Sequence, residues 1–229
     1  MRRHGRSRRR SLAPLLLAII ASTVLAYGGM ESGCSPSKRP IDAALVGDEL
    51  TATVERVLDG DSVVLEDGTG LRFIGIDCPE KDEPLSDVAR FRNRKLVEGR
   101  RVRLVTDSEK TDRYGRLLAY VWVENGAGNE VLVNEEMLRE GLATYYEVAP
   151  NNAMRDRLLA AQEEARKAHR GLWSDPYQGR APEKLYIGSS KRFHRPGCDS
   201  VKSITKRTEF TDREKALSRG LSPCRQCKP

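Results

Sequence analysis

The sequence contains no internal repeat, which excludes a solenoid or propeller assembled from recurring units. Beyond residue 27 it has no long apolar run, so any membrane contact belongs to the N-terminal segment. Cysteine is scarce. Cys34, Cys78, Cys198, Cys224 and Cys227 are an odd set of five, with three in the last thirty-two residues. That distribution argues against a disulfide framework spread over the chain. Net positive charge is missing from the middle of the chain, although the pI is 9.3. Residues 48–175 hold 19 basic and 26 acidic residues, a net −7. The excess sits at the ends, +6 in residues 1–30 and +8 in residues 176–229. The high pI therefore reflects a basic leader and a basic tail, not a basic protein throughout.

The leader has its own logic. Arg2, Arg3, Arg6, Arg8, Arg9 and Arg10 precede a nearly unbroken apolar run from Leu12 to Tyr27. A basic start followed by an apolar stretch is an export signal or membrane anchor, here spanning residues 1–34. The alternative, a basic nucleic-acid arm, leaves the apolar run unexplained. Ser7-Arg8-Arg9-Arg10-Ser11-Leu12 resembles a twin-arginine export motif. Ser32-Gly33-Cys34 resembles the end of a bacterial lipoprotein processing site, with Cys34 as the lipidated residue, although Glu31 stands where such sites carry an apolar residue. Ordinary cleavage, lipidation and a retained helix are three outcomes of one segment. Residues 35–47 read as a polar linker.

From residue 50 the pattern is that of short strands. Thr51–Leu58, Ser62–Glu66, Leu71–Ile76, Val102–Thr106 and Leu117–Val123 are rich in β-branched residues and are separated by turn residues. A further short strand falls near 130–133. Residues 86–98, Val133–Glu140 and Asn151–Arg170 read as helices, the last with Met154, Leu158, Ala161, Ala165 and Ala168 on one face. The expected class is α+β: a five-stranded OB-fold-like β-barrel with about three helices, plus a small C-terminal module.

Three segments carry the chemistry. Asp59-Gly60-Asp61-Ser62 lies between two strands, Arg72 precedes Asp77-Cys78-Pro79-Glu80 by five residues, and Asp112-Arg113-Tyr114-Gly115-Arg116 follows. Carboxylates at Asp61, Asp77 and Glu80 suit a hard divalent cation and an activated water, and Arg72 and Arg116 suit a phosphate gaining charge. The other reading is a barrel whose acids and arginines form surface ion pairs.

These segments resemble the staphylococcal nuclease (thermonuclease) family. So do Leu118-Ala119-Tyr120, Val133-Asn134, Gly141-Leu142-Ala143, Pro150-Asn151-Asn152 and Gly171-Leu172-Trp173, in the same order, over residues 48–175. The resemblance implies a calcium-dependent nuclease that cleaves DNA and RNA with little base preference and leaves 3′-phosphates. It implies that Asp61, Asp77 and the Cys78 backbone carbonyl hold Ca²⁺, and that Glu80 orients or deprotonates the attacking water. Arg72 and Arg116 would grip the scissile phosphate, Arg113 and Tyr114 would touch a neighbouring phosphate, and Tyr146 would stack on a base. The chain departs from the family in having Cys78 where the best-known members have Thr, and in a short loop at Lys81–Pro84.

Residues 176–184 read as a linker, followed by a second module at 185–229. His194-x3-Cys198 and Cys224-x2-Cys227 are two close ligand pairs suited to a structural Zn²⁺. A module of this size needs such a staple. The alternative is a disulfide between two of the cysteines. Phe193–Cys198 and Ser222–Cys227 resemble the small zinc-binding module of Ada-type DNA-repair proteins, with His194 in place of a Cys. Together these readings predict an exported bacterial enzyme, secreted or anchored to the outer face of the membrane, monomeric, and acting on single-stranded or breathing duplex DNA and RNA. The competing class is a non-catalytic nucleic-acid-binding or surface adhesion protein on the same barrel.

Overall fold

The computed structural model describes residues 47–175 and 183–229. The leader expected at 1–34 with Cys34, the 35–47 linker up to its last residue, and residues 176–182 lie outside the described residues. Along the first stretch run β1 (Glu49–Val57), β2 (Ser62–Leu65), β3 (Gly70–Phe73), β4 (Ile76–Asp77), α1 (Ser86–Val97), β5 (Arg101–Val105), β6 (Leu117–Glu124), β7 (Glu130–Leu132), α2 (Val133–Arg139), β8 (Thr144–Tyr145) and α3 (Arg155–Lys167).

β1 serves two neighbours. Residues Glu49 to Thr53 pair antiparallel with β5, and Val54 to Val57 pair antiparallel with β2. The register shifts between Val54 and Arg56, a bulge that bends the strand from one partner to the other. β2 pairs with β3, β5 pairs with β6, and β3 runs parallel to β6 with Leu71 opposite Leu117 and Phe73 opposite Ala119. That last pairing closes the barrel expected from the sequence. Its interior is filled by Val54, Val63, Leu71, Phe73, Leu104, Ala119 and Val121, all buried.

Two differences from the sequence reading have physical causes. Leu71–Ile76 is not one strand: it breaks at Ile74-Gly75, where Gly75 has φ +78°, and resumes as β4, which pairs with β8. Buried Asn134 fixes the break, donating its Nδ2 to the Ile74 carbonyl (2.8 Å) and accepting the Val121 N–H (2.9 Å). The last helix is shorter than expected. Asn151 is held outside it by two side-chain bonds to the Glu109 backbone, each 2.7 Å. Ala168 caps it and is exposed, while Met154, Leu158, Ala161 and Ala165 are buried as the spacing predicts.

The second stretch forms β9 (Tyr186–Gly188), β10 (Arg192–His194), β11 (Thr208–Phe210), α4 (Arg213–Ser218) and β12 (Ser222–Pro223). The sheet order is β11-β9-β10-β12, with β12 parallel to β10. α4 is capped by Asp212, whose Oδ1 accepts the Glu214 N–H at 2.8 Å. The core of this small sheet is Tyr186, Phe193, Phe210, Ala216, Leu217 and Leu221, with Tyr186 and Phe193 edge to face. Ala165 of α3 and Trp173 complete that core. Further ties join Ser222 Oγ to the Tyr145 carbonyl and Arg155 Nη2 to the Arg219 carbonyl (2.9 Å).

Replacing Asn134 by Ala strands a buried donor and a buried acceptor, at about 1–3 kcal/mol each. The urea midpoint is expected to fall accordingly, and an unchanged midpoint would contradict the role given to Asn134.

Candidate active site

The site grows from the Asp59–Ser62 turn. The Asp61 N–H donates to Asp59 Oδ1 at 2.9 Å, and Asn93 of α1 donates to the Asp59 carbonyl at 2.9 Å. Gly60 permits a close approach: a Cβ there would lie 2.6 Å from the Cys78 Cβ and Sγ. Asp61 is thereby turned inward and buried. Its Oδ2 accepts the Cys78 N–H at 2.7 Å, and its Oδ1 accepts the Ser62 hydroxyl at 3.1 Å and pairs with Arg72 Nη1.

Arg72 stands on β3 opposite Ser62, so the strand register delivers it to Asp61. Its Nη2 also reaches the Ile76 carbonyl and Asp77 Oδ1, both at 3.2 Å. Asp77 ends β4 and is only 7% exposed. Glu80 lies past Pro79 at the rim and is 68% exposed, with its N–H anchored on Glu83 Oε2 at 2.8 Å. The structure thus brings Asp61, Arg72, Asp77, Cys78 and Glu80 together.

Cys78 contributes through its backbone. Its thiol packs against Gly60, and burial pushes it well above the ordinary thiol range, so it stays protonated. The cleft therefore offers oxygens only: two buried carboxylates, one carbonyl and a rim glutamate. That is the donor set of a hard divalent cation. These oxygens already face guanidinium groups, so the place demands positive charge.

The Asp112–Arg116 segment is arranged differently from the sequence expectation. Arg116 lies beside β3, its stem 3.3 Å from where a Cβ on Gly70 would stand. Its guanidinium is committed to Asp112 Oδ2 (Nε 2.8 Å, Nη2 2.7 Å) rather than aimed at Asp61 or Asp77. Burial opposes the charge on Asp112, but hydrogen bonds from Arg116 and Tyr114 hold it below the usual carboxylate range. Arg113 lies 4.7 Å over the Tyr114 ring and donates to its hydroxyl at 2.6 Å, at an exposed tip. Half-buried Tyr146 follows β8, its N–H on the Gly75 carbonyl at 3.0 Å.

Two cations at the cleft carry no signal in the sequence. Arg225 Nη2 donates to Asp77 Oδ1 (2.7 Å) and to the Cys78 carbonyl (2.6 Å), and its Nη1 donates to Glu80 Oε1 (2.6 Å). Burial disfavours its charge, but Asp77 and Glu80 outweigh this and raise its pKa. Arg192 Nη2 donates to Asp77 Oδ2 at 2.6 Å. A cavity of about 350 Å³ lies under this roof, with Asp77, Cys78, Arg192, Arg213, Arg225 and Lys228 on its walls.

In the C-terminal module His194, Cys198, Cys224 and Cys227 place one ligand atom each within 4.8 Å of one another. His194 Nδ1 is buried without a hydrogen-bond partner, and burial keeps the ring neutral by lowering its pKa. Cys78, Cys198, Cys224 and Cys227 are free thiols. An unpartnered neutral imidazole among three thiols fits a tetrahedral soft-ligand site.

Residues 70–175 match the family model described as "Staphylococcal nuclease homologue". The chain is 37% identical over 172 residues to a thermonuclease of Staphylococcus hyicus, covering 70% of this chain and 96% of that protein. The chain belongs to the staphylococcal nuclease family. A thermonuclease of Staphylococcus intermedius is 37% identical over 129 residues, covering 52% of this chain and 74% of its own length. Endonuclease YncB of Bacillus subtilis is 33% identical over 136 residues, covering 55% and 62% respectively. In this staphylococcal nuclease homologue Arg72, Asp77, Glu80 and Arg116 lie inside the matched region, and the four-ligand cluster lies beyond it.

Iodoacetamide at pH 8 is expected to leave Cys78 unmodified in the native protein and to alkylate it in denaturant, as read by peptide mass spectrometry. Native-state labelling would contradict a buried, protonated thiol.

Proposed function

We propose that this staphylococcal nuclease homologue is an exported, calcium-dependent phosphodiesterase that hydrolyses DNA and RNA with little base preference and leaves 3′-phosphates. The observation that carries the reading is the pair of buried carboxylates, Asp61 and Asp77, converging on Arg72 beside the Cys78 carbonyl and the exposed rim residue Glu80. Asp61, Asp77 and the Cys78 carbonyl would hold Ca²⁺, which when bound supplies charge neutralisation at the phosphate and at the attacking water. Glu80, on the exposed rim, accepts the proton of that water at a carboxylate oxygen. Arg72 donates from the floor of the cleft to a phosphate oxygen as its charge grows. Arg116 does the same from the turn before β6 once its fork turns from Asp112 to the phosphate. Arg113 and Tyr114, at the exposed tip, contact a neighbouring phosphate, and Tyr146 stacks on a base, which suits single strands or breathing duplex. The relatives named as thermonucleases and an endonuclease support the reaction class.

The C-terminal module binds structural Zn²⁺ through His194, Cys198, Cys224 and Cys227, in the manner of Ada-type modules. The basic leader and apolar run support export, with Cys34 the lipidated residue if processing follows the lipoprotein route. The product would be a monomer on the outer side of the membrane.

Glu80→Gln and Arg116→Ala are each expected to lower kcat on single-stranded DNA by about 10²–10³ with an unchanged circular dichroism spectrum. Full activity in either variant removes that residue from the mechanism. Cleavage that persists in excess calcium chelator defeats the cation reading, and absence of cleavage with calcium favours a binding protein on the same barrel.

Metal analysis of the purified chain should return one zinc per molecule, lost in Cys224→Ser. No metal, together with paired cysteines, would replace the zinc site with a disulfide. Expression of the whole chain in a bacterium should yield an extracytoplasmic product. A full-length product confined to the cytoplasm rules out export.

A further inference from the structure

The two arginines on the cleft come from one module and from adjacent positions in it. Arg192 opens β10 and stands opposite Ser222 of β12 in parallel register. Arg225 follows β12 and sits between Cys224 and Cys227. Arg192 Nη1 also donates to the Pro223 carbonyl at 3.1 Å, which ties the pair into one unit. His194 and Cys224, two of the four clustered ligands, lie on the same two segments, so the ligand cluster ties together the stretches that carry both guanidinium groups.

What these groups touch decides their role. Arg72, proposed to grip the phosphate, bonds Asp61 and reaches Asp77 Oδ1 at 3.2 Å. Arg225 instead spends its Nη2 on Asp77 Oδ1 at 2.7 Å and the Cys78 carbonyl at 2.6 Å, two of the oxygens needed by the proposed cation. An oxygen-ligated calcium stands about 2.3–2.6 Å from its ligands. A nitrogen bonded to both oxygens stands at nearly the distance that an ion bridging them would, so the two cations compete for the same oxygens by volume and by charge. Its Nη1 holds Glu80 Oε1 at 2.6 Å, keeping the rim carboxylate from a water. Arg192 takes the other oxygen of Asp77 and lies 4.9 Å over the Tyr146 ring, with Lys191 5.7 Å from the same ring. Those cations cover a ring on which the proposed base would stack.

We propose that the C-terminal module is a built-in competitor for the catalytic cation, with Arg225 as the displaceable plug and Arg192 as its companion on Asp77 and Tyr146. The inference rests on the cation reading of Asp61, Asp77 and Cys78. The module stays docked through Ala165 and Trp173, so release is a side-chain event: calcium displaces the Arg225 guanidinium, which withdraws into the neighbouring cavity. The device sets a calcium threshold, because the apparent affinity equals the intrinsic affinity scaled by the fraction of molecules with the plug out.

The test is calcium binding by isothermal titration to the whole zinc-loaded chain, without nucleic acid. Arg225→Ala is expected to tighten calcium binding about tenfold, as for a site nine-tenths closed by its own side chain. Arg225→Lys, a point charge that cannot fork, should fall between Ala and wild type. Lys206→Ala removes an exposed charge of the same module and should leave affinity unchanged. Equal affinity in wild type and Arg225→Ala, weaker binding in Arg225→Ala, or equal tightening in Lys206→Ala would each overturn the plug while leaving the cation site standing. Absence of calcium binding in every variant overturns the cation reading and the plug with it.

Discussion

The site depends on one buried carboxylate. Asp61 joins three separate segments: its own turn, β3 through Arg72, and the end of β4 through the Cys78 N–H. An ionised carboxylate removed from water is stable only with opposite charge and hydrogen bonds to its oxygens. Both oxygens of Asp61 have them. Satisfying Asp61 therefore fixes the distance between turn and strand end, and that distance places Asp77 and the Cys78 carbonyl on the same cleft. Gly60 is the local concession that makes the approach possible, since any Cβ would strike Cys78.

A second layer keeps that geometry from relaxing. Asn93 holds the turn from α1, and Asn134 holds the strand break from α2. Gln162 of α3 accepts the Tyr145 N–H at 2.7 Å and steadies β8, which pairs with β4 and so supports Asp77. α1, α2 and α3 thus each present one buried amide to a backbone group around the cleft. These contacts explain why polar residues occupy the inner faces of helices whose other buried positions are apolar.

Much of this was legible in the sequence because it is local. Turn residues, β-branched runs and the 3.6 spacing of Met154, Leu158, Ala161 and Ala165 mark the barrel and its last helix. The acids and Arg72 lie within twenty residues of one another, so strand register alone brings them together. The break at Ile74-Gly75 was not legible, since its cause is an amide sixty residues away. Arg116 fell just ahead of the expected strand, but its fork went to a carboxylate four residues back that spacing alone did not rank above the phosphate. Arg192 and Arg225 were read only as part of a basic tail. Their pairing with Asp77 spans more than a hundred residues, and no periodicity or motif encodes a contact of that range.

Trp173 has a consequence for how this chain can evolve. It lies at the end of the region matching the nuclease family, yet its indole completes the core of the sheet that follows. A module joined this way is not a bead on a string. Moving it to another protein would require carrying Trp173 and Ala165 with it, and deleting it would leave an indole and the end of α3 facing water. The two halves therefore share one continuous apolar seam, and neither can be cut away without exposing it.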